Sequence, residues 1–162
     1  MSTTFRSALL KKIRRFAQIW KAGCMLILSS ALLVLAACST APEAQPLYVR
    51  LGGVAGIDAI TTQMVQRMAT DPRTRRTFDG INLKTLRASL SAYLCKVADG
   101  PCEYVGETMY KSHADLGIRG SEFDVVVQML RDELDHAKVS TQTKNELLSR
   151  LAPTRRDIVT RD

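Results

Sequence analysis

The sequence predicts an all-α domain. Apolar residues recur at the three-and-four spacing of amphipathic helices along most of the chain beyond residue 46. The breaks between these runs fall on Asp-Pro, Asp-Gly-Pro and other glycine-bearing stretches. The one run that suggests a strand, Val125-Val126-Val127, is flanked by helix formers, which argues against a strand there. Together these features give four or five main helices in one domain over residues 47–162, long enough for a modest core.

The first 37 residues stand apart. Arg6, Lys11, Lys12, Arg14, Arg15 and Lys21 form a basic stretch without an acid, followed by "AGCMLILSSALLVLAA" from Ala22 to Ala37. A positive start, a short apolar middle and small residues at its end have the layout of an export signal over residues 1–37. The 16 apolar-run residues fall short of the roughly 20 needed to span a bilayer. The ending "LAAC", Leu35 to Cys38, resembles a bacterial lipobox, which implies cleavage before Cys38 and lipid on its thiol. Location is therefore expected to be the cell envelope, with a periplasm-facing lipoprotein held at the membrane through Cys38. Ser39 is similar to the outer-membrane class. "STAPEAQP" completes a flexible tether over residues 38–46.

Setting the leader aside changes the charge argument. Six of the 23 basic residues lie in it, leaving 17 against 16 acidic ones, so the basic pI belongs to the export segment. Nucleic acid is not an expected partner. The cluster "RTRR", Arg73 to Arg76, reads as a solvated helix-loop face. Of four cysteines, Cys24 leaves with the leader and Cys38 is the lipid site, so Cys95 and Cys102 remain. Their spacing allows a disulfide without establishing one. No C-x-x-C pair or His/Cys cluster points to zinc.

In order along the domain, "GIDAITTQMVQRMA" places Ile57, Ile60, Met64, Val65 and Met68 on one stripe, stopped by Asp71-Pro72. "LKTLRASLSAYLCKV" sets Leu83, Leu86, Leu90, Tyr93, Leu94 and Val97 on another, ending at Asp99-Gly100-Pro101. Between Asp99 and Ser121 five breakers exclude a long helix, and only "ETMYKSHADL" fits a short one. Ser121, with Asp124 three residues on, predicts the start of a helix whose Phe123, Val126, Val127, Leu130 and Leu134 share a face. Thr143 and Glu146 have the pattern of a capping box. Pro153 kinks or ends the helix that this box opens through "LLSRLA".

The chain holds two histidines, His113 and His136. His136, in "LDHAKV", sits at a helix C-terminus, where an imidazolium complements the dipole. His113 lies in the short loop-flanked helix of "GETMYKSHADLGIRGSEF". No serine or cysteine motif accompanies it, and the carboxylates fall mostly on polar helix faces, so nucleophilic and paired-carboxylate hydrolysis lack a signature. Taken alone, it reads as an ordinary core or surface histidine.

Several blocks change that reading. "LYVRLGG" with "GIDAI", "DPRTRRTF", "YLCKVADGPCEYVGETMYKSHADLGI", "EFDVVV" and "LAPTRRDIV" resemble, in order, a group I truncated haemoglobin, from Leu47 to Val159. The resemblance implies a two-over-two helical sandwich around haem b, with His113 as the iron ligand and the opposite iron face open to dioxygen, NO or CO. It implies an apolar pocket of Phe78, Leu86, Leu90, Leu94, Met109, Ile118, Phe123, Val126 and Val127, with Val65 on the ligand side. Where the family usually has paired glycines this chain has Asp99-Gly100, an aspartate expected to tolerate unusual φ.

The ligand side departs further. The best-known members carry a tyrosine and often a glutamine that hydrogen-bond dioxygen; the matching positions here are Val65 and Leu90, with Leu86 beside them. None can donate. Dioxygen binding is expected to be weaker by about one to two decades. Tyr93, one residue from Leu94, is expected to point outward. The family's reaction, oxidation of NO to nitrate, or a weak peroxidase activity, would need an external electron donor, because nothing in the chain resembles a flavin or nicotinamide domain. The rival is a haem-free helical lipoprotein serving as an envelope scaffold or adaptor.

Overall fold

Each helix in the computed structural model, which describes residues 45–161, begins and ends for a local reason. The expected leader over 1–37, the expected lipid site at Cys38 and the expected tether up to residue 44 lie outside the described residues. A single turn, α1 (Leu47–Arg50), leads into α2 (Gly53–Thr70). Helix α2 starts four residues ahead of Ile57, the first residue of the apolar stripe, because Gly52 and Gly53 take φ of 86° and 64°, turning the chain directly out of α1. Gly56 is obligatory for a different reason: a Cβ there would lie 2.2 Å from the Leu51 carbonyl oxygen. Asp71 stops α2, its Oδ1 accepting the Arg73 amide at 2.8 Å.

A 3-10 turn, Arg75–Phe78, precedes α3 (Leu83–Val97), which Asn82 caps by accepting the Thr85 amide at 3.1 Å. Such a cap contributes about 1 kcal/mol. The end of α3 uses the aspartate that departs from paired glycines. Asp99 adopts φ 57°, the Gly100 amide donates to the Cys95 carbonyl at 2.8 Å, and the Asp99 carboxylate pairs with Arg150. Helix α4 (Met109–His113) is short and capped by Thr108, and α5 (Gly120–His136) follows.

Two expected starts are corrected. Arg119, not Ser121, is the N-cap of α5, because the Glu122 carboxylate reaches back to accept the Arg119 amide at 2.8 Å. Ser140, not Thr143, caps α6 (Thr141–Leu151), accepting the Thr143 amide at 3.2 Å. Thr143 is buried and accepts from Arg50 at 3.2 Å, while Glu146 pairs with Arg50 and Arg150 instead of closing a box. Pro153 ends α6 in a 3-10 turn, Ala152–Thr154, and α7 (Arg155–Ile158) is the last helix among the described residues.

Helix α2 packs on α3 and α5, α1 on α6, and α4 on α7. Leu47, Leu51, Ile57, Ile60, Val65, Met129, Leu134 and Leu147 form the centre of the core. Burying each such side chain contributes about 1.5–3 kcal/mol. No strand occurs among the described residues, where the only sheet-like pairing is one bridge between Arg119 and Arg161. Among them no helix is long and apolar enough to cross a membrane.

Cys95 and Cys102 form a disulfide with their Cα atoms 5.8 Å apart. It links α3 to the connection that precedes α4, where Val105 is 86% exposed. Closing a loop of sequence separation 7 removes enough unfolded-state freedom to stabilise by about 2–3 kcal/mol. The Cys95→Ser/Cys102→Ser variant should therefore unfold at a lower urea midpoint, the shift multiplied by the m-value amounting to about 2–3 kcal/mol; an unchanged midpoint would remove the disulfide from the stability account.

Candidate functional site

Between α3, α4 and α5 lies a cavity of about 310 Å³ with mostly apolar walls. That volume falls in the range of small-molecule sites. Helix α3 contributes Leu86, Ser89, Leu90, Tyr93 and Leu94; α5 contributes Phe123, Val126, Val127 and Leu130. Met109 and His113 come from α4, Phe78 from the 3-10 turn and Ile118 from the link between α4 and α5. These include every expected pocket residue except Val65.

Val65 is buried, 3% exposed, but inside the core and off the cavity wall, which α2 builds from Met64 and Met68. Met64 and Met68 are one turn apart, whereas Val65 is rotated about 100° from Met64 and is too short to reach round. Tyr93 is the second correction: it faces inward and lines the cavity, packed edge-on against Tyr104 with ring centroids 5.2 Å apart. Burial, with smaller contributions from Tyr104 and Asp157, pushes the Tyr93 hydroxyl above its ordinary pKa. Tyr104 and Leu116 also line the cavity. They sit in glycine-rich connections without periodicity, so nothing in the local sequence pattern marks them.

His113 is held in a defined tautomer. Its Nδ1 lies 2.7 Å from the Met109 carbonyl oxygen, which can only accept. Nδ1 therefore carries a hydrogen, and in the neutral ring Nε2 keeps the lone pair, with no protein partner for it among the described residues. This is the arrangement of a metal-ligating imidazole, in which a carbonyl fixes the ring and sets which nitrogen can donate. His136, by contrast, ends α5 with its side chain 75% exposed, 3.5 Å from Glu133.

Arg76 is not simply solvated. Its guanidinium donates from Nε and Nη2 to the Glu122 carboxylate at 2.7 and 2.6 Å, and from Nη1 and Nη2 to the Leu116 and Gly117 carbonyls, both at 2.9 Å. Among the described residues its neighbour Arg73 pairs only with Asp71. The Arg76 fork, helped by the Arg119 amide, holds the Glu122 carboxyl below the usual range against the opposing effect of burial. A depressed carboxyl pKa contributes stability that is present above the unfolded value and lost as pH falls through the folded one. Glu122→Gln should therefore flatten the fall in melting temperature on acidification below the ordinary glutamate pKa. An unaltered acid profile would show that the ion pair carries no pH linkage.

Residues 46–160 match the model of the family described as bacterial-like globin. The chain belongs to that family. The globin is 30% identical to the group 1 truncated haemoglobin GlbN of Nostoc commune over 105 residues, 65% of this chain and 89% of that one. It is 28% identical to the corresponding protein of Mycolicibacterium paratuberculosis over 118 residues, 73% of this chain and 87% of that one. A truncated haemoglobin of Tetrahymena pyriformis in its Fe(III) form superposes with a TM-score of 0.68 at 23% identity, covering 71% of this chain and 98% of that one. The 2/2 haemoglobin of a Synechococcus strain, solved in a cyanomet state with covalently attached haem, gives 0.67 at 23% identity over 72% of this chain and 99% of that one. The fold is thus the two-over-two helical sandwich. Truncated haemoglobins bind haem with its iron, and haem is the cofactor of this globin; diatomic gases are the ligands of the family. The cavity fits such a group. A flat macrocycle is stabilised by apolar area removed from water, and the walls supply apolar side chains with one imidazole lone pair.

Proposed function

We propose that this globin binds haem b through Nε2 of His113 and uses it to bind dioxygen, NO or CO. When bound, haem would supply the iron that takes a diatomic gas. The protein does the rest. Met109 orients the His113 ring through its carbonyl, and Leu94, Phe123, Val126 and Val127 exclude water. Phe78 closes one side and Leu86 and Leu90 another. The observation that carries this reading is the Nδ1–H bond of His113 on the wall of an apolar cavity. The test is one set of absorption spectra of the purified domain, oxidised, reduced and reduced with CO. A strong Soret band shifted by CO supports the proposal. A folded domain that stays colourless with added haemin would favour the haem-free scaffold.

We further propose that the globin lies in the cell envelope, periplasm-facing and anchored at a membrane, the outer one by the Ser39 cue, through lipid on Cys38. Residues 1–37 would be the export signal and 38–46 the tether. The cues are the basic start, the short apolar run and "LAAC". Oxidation of NO to nitrate, or slow peroxidase turnover, is proposed as the reaction, with electrons from an external donor. Radiolabelled palmitate incorporation that vanishes in Cys38→Ser tests the anchor.

A further inference from the structure

Helix α4, which carries His113, is only five residues long and contains no fully buried residue. Its own packing is too slight to set the imidazole's depth and tilt. The turn after it is instead held from outside. The Leu116 amide donates to the His113 carbonyl at 3.1 Å, and the Leu116 carbonyl in turn accepts from Arg76. Gly117, at φ 55°, gives its carbonyl to the same guanidinium. Arg76 lies in the 3-10 turn that carries Phe78, another lining residue of the cavity.

The geometry points to Arg76 as a positioning residue for His113: one guanidinium bridges the Phe78 lip to the turn after α4 and sets the width of the slot between them. Three features favour this over an ordinary surface ion pair. Four of the five guanidinium N–H groups are used, and two of those bonds go to backbone carbonyls 40 and 41 residues away. The Glu122 partner is 14% exposed although Arg76 is 49% exposed. Glu122 also caps α5, so the same carboxylate ties the arginine to the helix carrying Phe123, Val126 and Val127. A bidentate fork with further carbonyl acceptors has the directional rigidity that isolated surface pairs lack. Lysine, a point charge on a flexible stem, cannot reproduce it.

The inference rests on His113 being the iron ligand, and the experiment separates the two. Resonance Raman of the reduced protein is read for the iron–histidine stretching band in wild type, Arg76→Met, Arg76→Lys and Arg73→Met. Haem transfer to excess apomyoglobin is timed for each. Arg76→Met and Arg76→Lys should shift or broaden the band and speed haem loss by about tenfold, the equivalent of about 1.4 kcal/mol. Arg73→Met, which removes a neighbouring charge without touching the turn, should change neither. Should Arg76→Met fail to fold, Glu122→Gln weakens the same fork while keeping its shape and should move the band in the same direction. Amide exchange at Leu116 in the haem-free protein should accelerate in the Arg76 variants. A band, haem-loss rate and Leu116 exchange all matching wild type in the Arg76 variants would overturn the positioning role. Absence of the band in wild type itself would instead overturn His113 ligation.

Discussion

His113→Gly is expected to abolish axial ligation while leaving the helices in place. Glycine removes the imidazole and leaves room for a free one. The variant's spectrum should change on reduction, and added imidazole should restore the wild-type form by entering the gap. Losing only an outer partner of a metal ligand typically costs about 10–100-fold in affinity. Losing the ligand itself should lower haemin affinity by more than that, although the apolar walls still favour the macrocycle. The backbone penalty is small: glycine at the last position of α4 costs about 1 kcal/mol or less, visible as a modest fall in melting temperature. A haem-free scaffold would show only that fall. Unaltered haemin affinity in the glycine variant, with far-UV dichroism intact, would place the ligand elsewhere.

Leu90→Gln should slow dioxygen dissociation from the reduced globin by about one to two decades. Leu86 and Leu90 line the cavity and offer no donor, and a hydrogen bond to a partly charged ligand contributes about 1.5–3 kcal/mol. CO, which gains less from polar help, should change little. The wild-type protein should accordingly release dioxygen fast. The inward position of Tyr93 makes its hydroxyl the competing donor, although its partners are Tyr104 and the neighbourhood of Asp157. A slow wild-type rate that becomes fast in Tyr93→Phe would assign the donor role to Tyr93 and sink the apolar account of the ligand side. Stopped-flow mixing with dithionite and CO measures both.

The helices were legible because their causes are local. Ile57, Ile60, Met64 and Met68 repeat at helical spacing before Asp71-Pro72, and the same logic marks α3 before Asp99-Gly100-Pro101. The helix starts are less legible. Ser121 and Thr143 have the right chemistry for caps, but Arg119 and Ser140 occupy those positions because Glu122 reaches back and Thr143 is drawn under Arg50. Cap choice depends on a few ångströms of side-chain reach and on partners brought from elsewhere in the chain, which spacing does not encode. The cavity residues other than Val65 were legible through family resemblance joined to the apolar stripes. Tyr104 and Leu116 were not, since each is delivered by a non-helical connection.

What this sequence determined by itself is the main helices and their apolar faces, written in residues within a turn or two of one another; the candidate imidazole needed the family resemblance along the whole domain. The tertiary structure alone decided which side of each stripe meets the cavity: Met64 and Met68 but not Val65, Tyr93 inward, Cys95 joined to Cys102, and Arg76 reaching the turn beyond His113. A rotation of about 100° about a helix axis separates a lining residue from a core one. That rotation is set by the elements packed against the helix, whose contacts join residues tens of positions apart.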